Sequence, residues 1–301
     1  MENKKKVNIA IQGGKGSYHE IAAIFQYGAK NIKTYCYATF RELVGAAEKN
    51  KVDYGLMAIE NTVAGSLIAN YALVESADIE VIGEILLRIE QNLLALPGQK
   101  LEDIREVYSH PIALMQCSDF LSKHPKMKLI ETEDTALSGA KIFDEKIEGA
   151  AAIASQRAAD LYGLSVLKYG IETNKRNFTR FLIIKGKESS AKTNESNPDK
   201  ASISFTLPHS TGSLAKVLSV FMFYDINLTK IQSIPIIGKE WEYHFLVDLV
   251  FDDYTLYKQS LLAVQPLTAK LQILGEYKKA NDYYQSNQVV VDTEIETVEI
   301  I

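Results

Sequence analysis

One change of pattern constrains this chain more than any other feature. Up to about residue 186, apolar runs of strand length alternate with helix-like segments; beyond residue 200 the order becomes strand, helix, strand, strand, helix, strand. The first region predicts strands at Val7–Gly13, Tyr54–Glu60, Val81–Leu87, Asn92–Leu96, Val107–His110, Gly149–Ala154, Val166–Ile171 and Thr179–Lys185. It predicts helices at Ser17–Tyr27, Phe40–Lys49, Ser66–Ser76, Ile112–Lys123, Thr135–Asp144 and Gln156–Tyr162. Such alternation implies βαβ units and a largely parallel sheet. Gly186 to Lys200, GKESSAKTNESNPDK, has no large apolar residue and reads as a linker. The second region predicts strands at Ser202–Leu207, Asn227–Pro235, Tyr243–Phe251 and Gly275–Lys279, with helices at Ser213–Tyr224 and Thr255–Leu274. That is the βαββαβ order of a ferredoxin-like unit. A lone copy of such a unit leaves a sheet edge or face free, which predicts dimerisation. The tail, Val289–Ile301, alternates Val and Ile with Asp, Glu and Thr, and reads as a frayed end or an extra edge strand.

Composition narrows the class. At 301 residues the chain has room for two domains, and its net charge of −5 argues against a nucleic-acid or anionic-membrane surface. Cys36 and Cys117 are too few and too far apart for a disulfide framework or a zinc site, so a reduced cytoplasmic protein is expected. Met1 to Lys6 is basic, but Val7 to Gln12 runs into glycines and reads as a first strand rather than a signal peptide. No apolar run reaches membrane-spanning length.

Four stretches place polar groups at strand ends. Gly13-Gly14-Lys15-Gly16-Ser17-Tyr18-His19-Glu20 joins the first strand to the first helix. Ser17 and Glu20 form a capping box there, and the helix start offers free N–H groups to an anion. Glu60 and Asn61 end the strand before the turn Thr62 to Gly65, with Ser66 as the expected helix cap. In open α/β sheets ligands bind outside the carboxyl ends of strands. Ser109-His110-Pro111 and Ala154-Ser155-Gln156 repeat the pattern of a strand entering a capped helix. If these starts converge, they make a pocket for carboxylates with little need of cationic side chains. Asn177-Phe178-Thr179-Arg180-Phe181 differs, because its polar groups precede a strand and cap nothing. Arg180 suits a bidentate pair with a carboxylate, either a structural one or a ligand. No H-E-x-x-H, Cys/His cluster or G-x-S-x-G elbow occurs, which leaves metal and Ser-His-Asp chemistry without support.

Taken in order, GGKGSYHE, IENTVAGSL, VYSHPIALMQC, AAIAS with LYGL, NFTRFLII, PHSTGSLAKVL, INLTKIQSIP and WEYHFLVD resemble one family, prephenate dehydratase with a C-terminal ACT regulatory domain. The resemblance runs from Gly13 to about Lys279. It implies an α/β fold: a periplasmic-binding-protein-like catalytic domain of two subdomains around a cleft, plus a C-terminal ferredoxin-like ACT domain. The implied division is 1–187 catalytic, 188–200 linker, 201–282 ACT and 283–301 tail. It implies conversion of prephenate to phenylpyruvate in phenylalanine biosynthesis, with no metal or organic cofactor, in a cytoplasmic homodimer or homotetramer that meets neither nucleic acid nor membrane.

Site roles follow from the resemblance and the chemistry together. Thr179 falls on the family's essential Thr and is expected to donate to the departing hydroxyl, with Glu60 as proton partner and Asn61 beside it. Arg180, Ser17, Ser66, Ser109, His110 and Ser155 are the expected carboxylate-binding residues. Gly212, Ser213, Leu214, Asn227, Leu228, Gln232 and Ser233 are the expected effector residues for L-phenylalanine. The effector motif commonly written E-S-R-P here reads Gln232-Ser233-Ile234-Pro235, with two charges lost; Gln91 stands where many members have His. Two alternatives stay open: arogenate dehydratase, and a non-catalytic amino-acid sensor.

Overall fold

A computed structural model describes residues 6–192, 197–236, 238 and 241–280, so the tail from 283 onward and residues 193–196 of the linker lie outside it. The chain begins with β1 (Val7–Gln12), α1 (Tyr18–Tyr27), β2 (Ile32–Tyr37), α2 (Phe40–Glu48), β3 (Tyr54–Asn61), β4 (Gly65–Ser66), α3 (Ile68–Ser76) and β5 (Ile79–Arg88). It then crosses into a second subdomain. There follow β6 (Asn92–Ala95), β7 (Glu106–Ser109), α4 (Pro111–Gln116), α5 (Ser118–Ser122), β8 (Lys128–Glu131), α6 (Thr135–Glu145), β9 (Ala150–Ala154), α7 (Gln156–Tyr162) and β10 (Ser165–Lys168). The chain returns with β11 (Phe178–Gly186). The C-terminal unit is β12 (Lys200–Thr206), α8 (Ser213–Phe223), β13 (Asn227–Pro235), β14 (Tyr243–Val250), α9 (Tyr254–Val264) and β15 (Lys270–Tyr277).

Three sheets result. The first has the order β2-β1-β3-β11-β5 with β4 paired to β3, the second β10-β6-β9-β7-β8, and the third β13-β14-β12-β15. The expectation of a largely parallel sheet needs correction. The pairs β1–β2, β1–β3, β7–β8 and β7–β9 are parallel, but β11 runs antiparallel to both β3 and β5, and β6 antiparallel to β9. The cause is the return path: β11 re-enters the first sheet from the second subdomain. Its Thr179 therefore lies beside Asn61, at the end where β3 finishes.

Other boundaries shift for local reasons. The segment expected to be helical from Thr255 to Leu274 stops at Val264. A short 3-10 turn at Gln265–Leu267 follows, then the edge strand β15. Pro266 has no N–H to continue the helix, and Ala269 N–H already bonds the Thr206 carbonyl at 2.9 Å. Ser66 is not a cap: it pairs with Glu60 in β4, and α3 starts after Leu67 without a side-chain cap. The helix expected over Ile112–Lys123 divides at Cys117.

The third sheet is not a loose appendage. Leu246, Leu274 and Tyr277 share one buried cluster with Val81, Leu182 and Ile184 of the first sheet. Each such side chain, fully buried, contributes about 1.5–3 kcal/mol. The approach is close enough that a Cβ on Gly275 would lie 1.9 Å from the Val81 carbonyl oxygen.

Candidate active site

The topology brings particular strand ends together. β1 and β3 are parallel and β11 is antiparallel to β3, so the Gly13–Ser17 loop, Asn61 and Thr179 share one edge of the first sheet. In the second sheet the ends of β7 and β9 and the start of β6 share one edge, with Asn92 opposite Ala154. The two edges meet. Ser155 Oγ donates to the Gly16 carbonyl at 2.6 Å, Tyr162 OH donates to the Lys15 carbonyl at 2.9 Å, and Arg157 pairs with Glu20 at 2.8 Å. The glycine loop is pressed so near that a Cβ on Gly16, whose φ is +83°, would lie 3.0 Å from the Ala158 Cα. At the other side the chain crossings are tied by Ile89 N–H to the Asn177 carbonyl at 2.8 Å and Ile171 N–H to the Gln91 carbonyl at 2.7 Å.

Asn61 is the pivot of this edge. Its Oδ1 accepts from the Val63 and Ala64 N–H groups at 2.9 and 2.8 Å. A backbone donor cannot reverse, so the amide orientation is fixed. Its Nδ2 consequently points at Thr179 Oγ1, 3.0 Å away, and at Asn177 Oδ1, 2.7 Å away. Because Thr179 Oγ1 is an acceptor in that contact, its own proton is free to be given to something else.

The network continues without charge. Gln116 Nε2 donates to Asn61 Oδ1 at 3.2 Å, and Gln116 Oε1 accepts from Asn177 at 2.9 Å and Gln91 at 3.2 Å. The Tyr18 hydroxyl stands 2.6 Å from the Glu90 carbonyl and 3.0 Å from Gln91 Oε1, sharing its proton between them. Burial, with nearby Cys117, Glu172 and Glu90, pushes the Tyr18 hydroxyl well up, so it stays a neutral donor. The sequence alone assigns Asn177, Gln116 and Tyr18 no role in the site. Asn177 stood inside NFTRF and Gln116 inside VYSHPIALMQC, but only the fold shows that both face Asn61.

Arg180 and Glu60 are elsewhere. Successive residues in a strand point to opposite faces, and these two sit opposite each other on the face away from Thr179 and Asn61. Arg180 Nε contacts Glu84 at 2.6 Å, its Nη1 contacts Asp248, and its Nη2 donates to Tyr277 OH at 3.0 Å. Lys200 joins Glu84 at 2.8 Å, and Ser202 Oγ donates to Asp248 at 2.6 Å. Burial disfavours the Asp248 carboxylate, but Arg180, Lys200 and Ser202 hold its carboxyl below the usual range. Arg180 is thus spent on carboxylates of its own chain, not on a ligand. Glu60 pairs with Lys230 at 3.1 Å and lies 4.0 Å from Arg180, so it is not a proton partner for Thr179.

The expected hydroxyl binders divide. Ser66 Oγ accepts from Lys230 at 2.7 Å, on the far side of β3. Ser109 is fully buried and gives its proton to the Ile153 carbonyl at 2.7 Å. Ser155 accepts from Ala158 N–H and donates to Gly16, so it joins the subdomains rather than waiting for a ligand. Ser17 caps α1 by accepting from Glu20 N–H at 3.4 Å, which leaves its proton to give. The capping box is not reciprocal: the Glu20 carboxylate reaches back to Gly16 N–H at 2.8 Å. His110 caps α4 through Nδ1, placing its proton on Nε2. Asp134, unremarked in the sequence, caps α6 at Leu137 N–H, 2.8 Å. Burial raises its pKa against hydrogen bonds from Leu137, Ala136 and Gly14.

In the C-terminal unit, pairing of Thr206 with His244 and of His244 with Ile234 puts Gly212, Ser213 and Leu214 at the same sheet end as Gln232 and Ser233. Asn227 and Leu228 lie at the opposite end of β13, opposite Val250 and Leu249.

Fold and site together define a two-subdomain cleft protein with an uncharged amide cluster aiming one hydroxyl, backed by a ferredoxin-like unit. Residues 9–189 match the family model for prephenate dehydratase, and the chain belongs to that family. It is 36% identical over 282 residues to the bifunctional chorismate mutase/prephenate dehydratase of Aquifex aeolicus, covering 92% of this chain and 75% of that one. The solved prephenate dehydratase of Staphylococcus aureus superposes with a TM-score of 0.77 at 26% identity, over 90% of this chain and 100% of that one. A solved protein described as GqqA, a novel type of quorum quenching acylase, superposes with a TM-score of 0.80 at 26% identity, over 92% and 99%. One fold hosting another named activity leaves function to the site.

Proposed function

We propose that the protein is a lyase that converts prephenate to phenylpyruvate, carbon dioxide and water. The observation that carries this reading is the fixed Asn61 amide, which makes Thr179 Oγ1 an acceptor and so leaves its proton free to be given. The substrate is a dianion whose 4-hydroxyl must leave, so a proton has to reach that oxygen as the ring carboxylate departs as carbon dioxide and the ring becomes aromatic. One proton is taken up overall, and two negative charges become one. An alcohol is a weak acid, so Thr179 donates a hydrogen bond that strengthens as charge builds on the leaving oxygen, and relays a proton from the cleft. The neutral amides suit a carboxylate that must be lost, since a cation there would hold it in the ground state. The remote carboxylate goes to Ser17 and the N-terminus of α1, which follows β1, two strands from β11 in the first sheet. His110 is the further binding residue we retain.

We assign residues 1–187 to catalysis and 201–282 to regulation by L-phenylalanine, bound near Gly212, Ser213, Leu214, Gln232 and Ser233. Among the described residues strand β13 is an edge, with residues alternately exposed along its length, and such an edge invites a second copy; we therefore infer a dimer at least. The free thiols Cys36 and Cys117 suit a reducing cytoplasm. The test is ultraviolet detection of phenylpyruvate from purified protein with prephenate, arogenate as the competing substrate, and Thr179→Ala as control. Turnover of prephenate that disappears in Thr179→Ala is expected; near-wild-type turnover in the variant refutes the assignment.

A further inference from the structure

We propose that Lys230, in the ferredoxin-like unit, is a positioning residue for the catalytic edge of the cleft. It lies on β13, where Thr229 and Ile231 are exposed and Lys230 is on the inner face, its side chain only 8% exposed. A register shift between Leu228 and Lys230 in the β13–β14 pair marks a bulge just before it, a device that re-aims a side chain. The ammonium reaches across to the first sheet. It meets Glu60 Oε2 at 3.1 Å, donates to Ser66 Oγ at 2.7 Å, and stands 5.1 Å from the Tyr71 ring centre.

Its two polar partners are a register pair. Glu60 lies opposite Ser66, and the next pair is Asn61 opposite Gly65. Those pairs close the turn of Thr62, Val63 and Ala64, whose N–H groups at Val63 and Ala64 fix the Asn61 amide. The amide in turn orients Thr179. One ammonium therefore braces, from behind, the hairpin that decides where the catalytic proton points. Lys230 touches no reacting atom and acts only through Glu60, Ser66 and Asn61. It also stands two residues before Gln232, so any ligand or second copy seated on β13 acts on the same strand. The inference rests on the reading of Thr179 as the proton-giving group.

The test uses the full chain with prephenate and compares Lys230→Met, Glu60→Gln and their double variant with wild type. Lys230→Met keeps the aliphatic stem and removes the charge. A fall in kcat of about 2- to 30-fold, the range for residues coupled through one contact network, is expected with KM changed less than about 2-fold. Glu60→Gln is expected to lose a comparable amount, and the double variant no more than the larger single loss, because both remove one brace. Should Lys230→Met fail to fold by circular dichroism, Ser66→Ala removes the other bond and is expected to show the same kcat-only loss in smaller measure. Where phenylalanine inhibits wild type, Lys230→Met is expected to bind it undiminished by calorimetry yet respond less in turnover. A folded Lys230→Met with wild-type kcat, or losses that simply add in the double variant, overturns the proposal. Turnover persisting in Thr179→Ala overturns instead the reading beneath it, so the two failures are distinct.

Discussion

Replacing Asn61 by Asp removes the donor that orients Thr179. The change is isosteric, but it converts a donor into an acceptor. In the native site Asn61 Nδ2 gives hydrogen bonds to Asn177 Oδ1, Thr179 Oγ1 and the Phe178 carbonyl at 2.7, 3.0 and 3.2 Å. An ionised carboxylate in its place would set oxygen against two of those oxygens. Asn177 cannot relieve this by turning over, because its Nδ2 already serves Gln116 at 2.9 Å. Thr179 can adapt, by giving its proton to the new carboxylate, and that adaptation removes the proton from the substrate. The expected loss in kcat is about 10²–10⁴-fold, the worth of a positioned proton donor, or roughly 3–5 kcal/mol in barrier. KM should rise as well, since a fixed negative charge now faces a dianion. Stability should fall by about 1–3 kcal/mol for the unsatisfied buried groups. Activity should return in part as pH falls into the carboxyl range, because the introduced carboxyl regains one donor once protonated. Phenylpyruvate release measured across pH, with urea unfolding to confirm the fold, is the assay. A folded Asn61→Asp variant within about 3-fold of wild-type kcat near neutral pH would refute the claim, since a positioned donor is worth far more.

Two further outcomes follow from packing. His19 is nine-tenths buried against Phe181 at 4.9 Å and Phe40 at 5.5 Å, and burial lowers its pKa from 6.5 to about 3. Between those values the unfolded chain takes up a proton that the folded one refuses, so stability drops by roughly 1.4 kcal/mol for each unit the pH is lowered below 6.5 and is constant above it. His19→Leu should lose that slope in urea midpoints taken from pH 7 downward; an unchanged slope refutes it. Gly275→Val should force β15 off β5, since the Val81 carbonyl lies where the side chain must go. We expect a cost above about 2 kcal/mol and earlier proteolysis between the sheets, and an unchanged melting temperature would count against the close docking.

The sequence carried the large divisions. Alternation marked the subdomains, the polar run after Gly186 marked the junction, and the strand–helix order marked the ferredoxin-like unit. What escaped it was set by contacts between distant segments. β2 and β8 are too short or too polar to stand out as strands, and become strands by pairing with β1 and β7. The helix expected through Leu274 yields to β15 because a strand there completes the third sheet beside β12. At the site, Thr179 and Asn61 were legible as polar groups at strand ends, while Gln116 and Asn177 were not, since their roles depend on two chain crossings being tied side by side. Arg180 and Glu60 are a different matter. Thr179 and Arg180 are neighbours in one strand, and so are Asn61 and Glu60 in another; period-two alternation forbids either pair from facing a single cleft together. That rule needs no coordinates. Applied to NFTRF and IEN, it separates a cleft side, holding Thr179 and Asn61, from a back side, holding Arg180 and Glu60. The structure adds what waits behind: Asp248 and Lys230, from the unit we assign to regulation, each in contact with one of the two displaced charges.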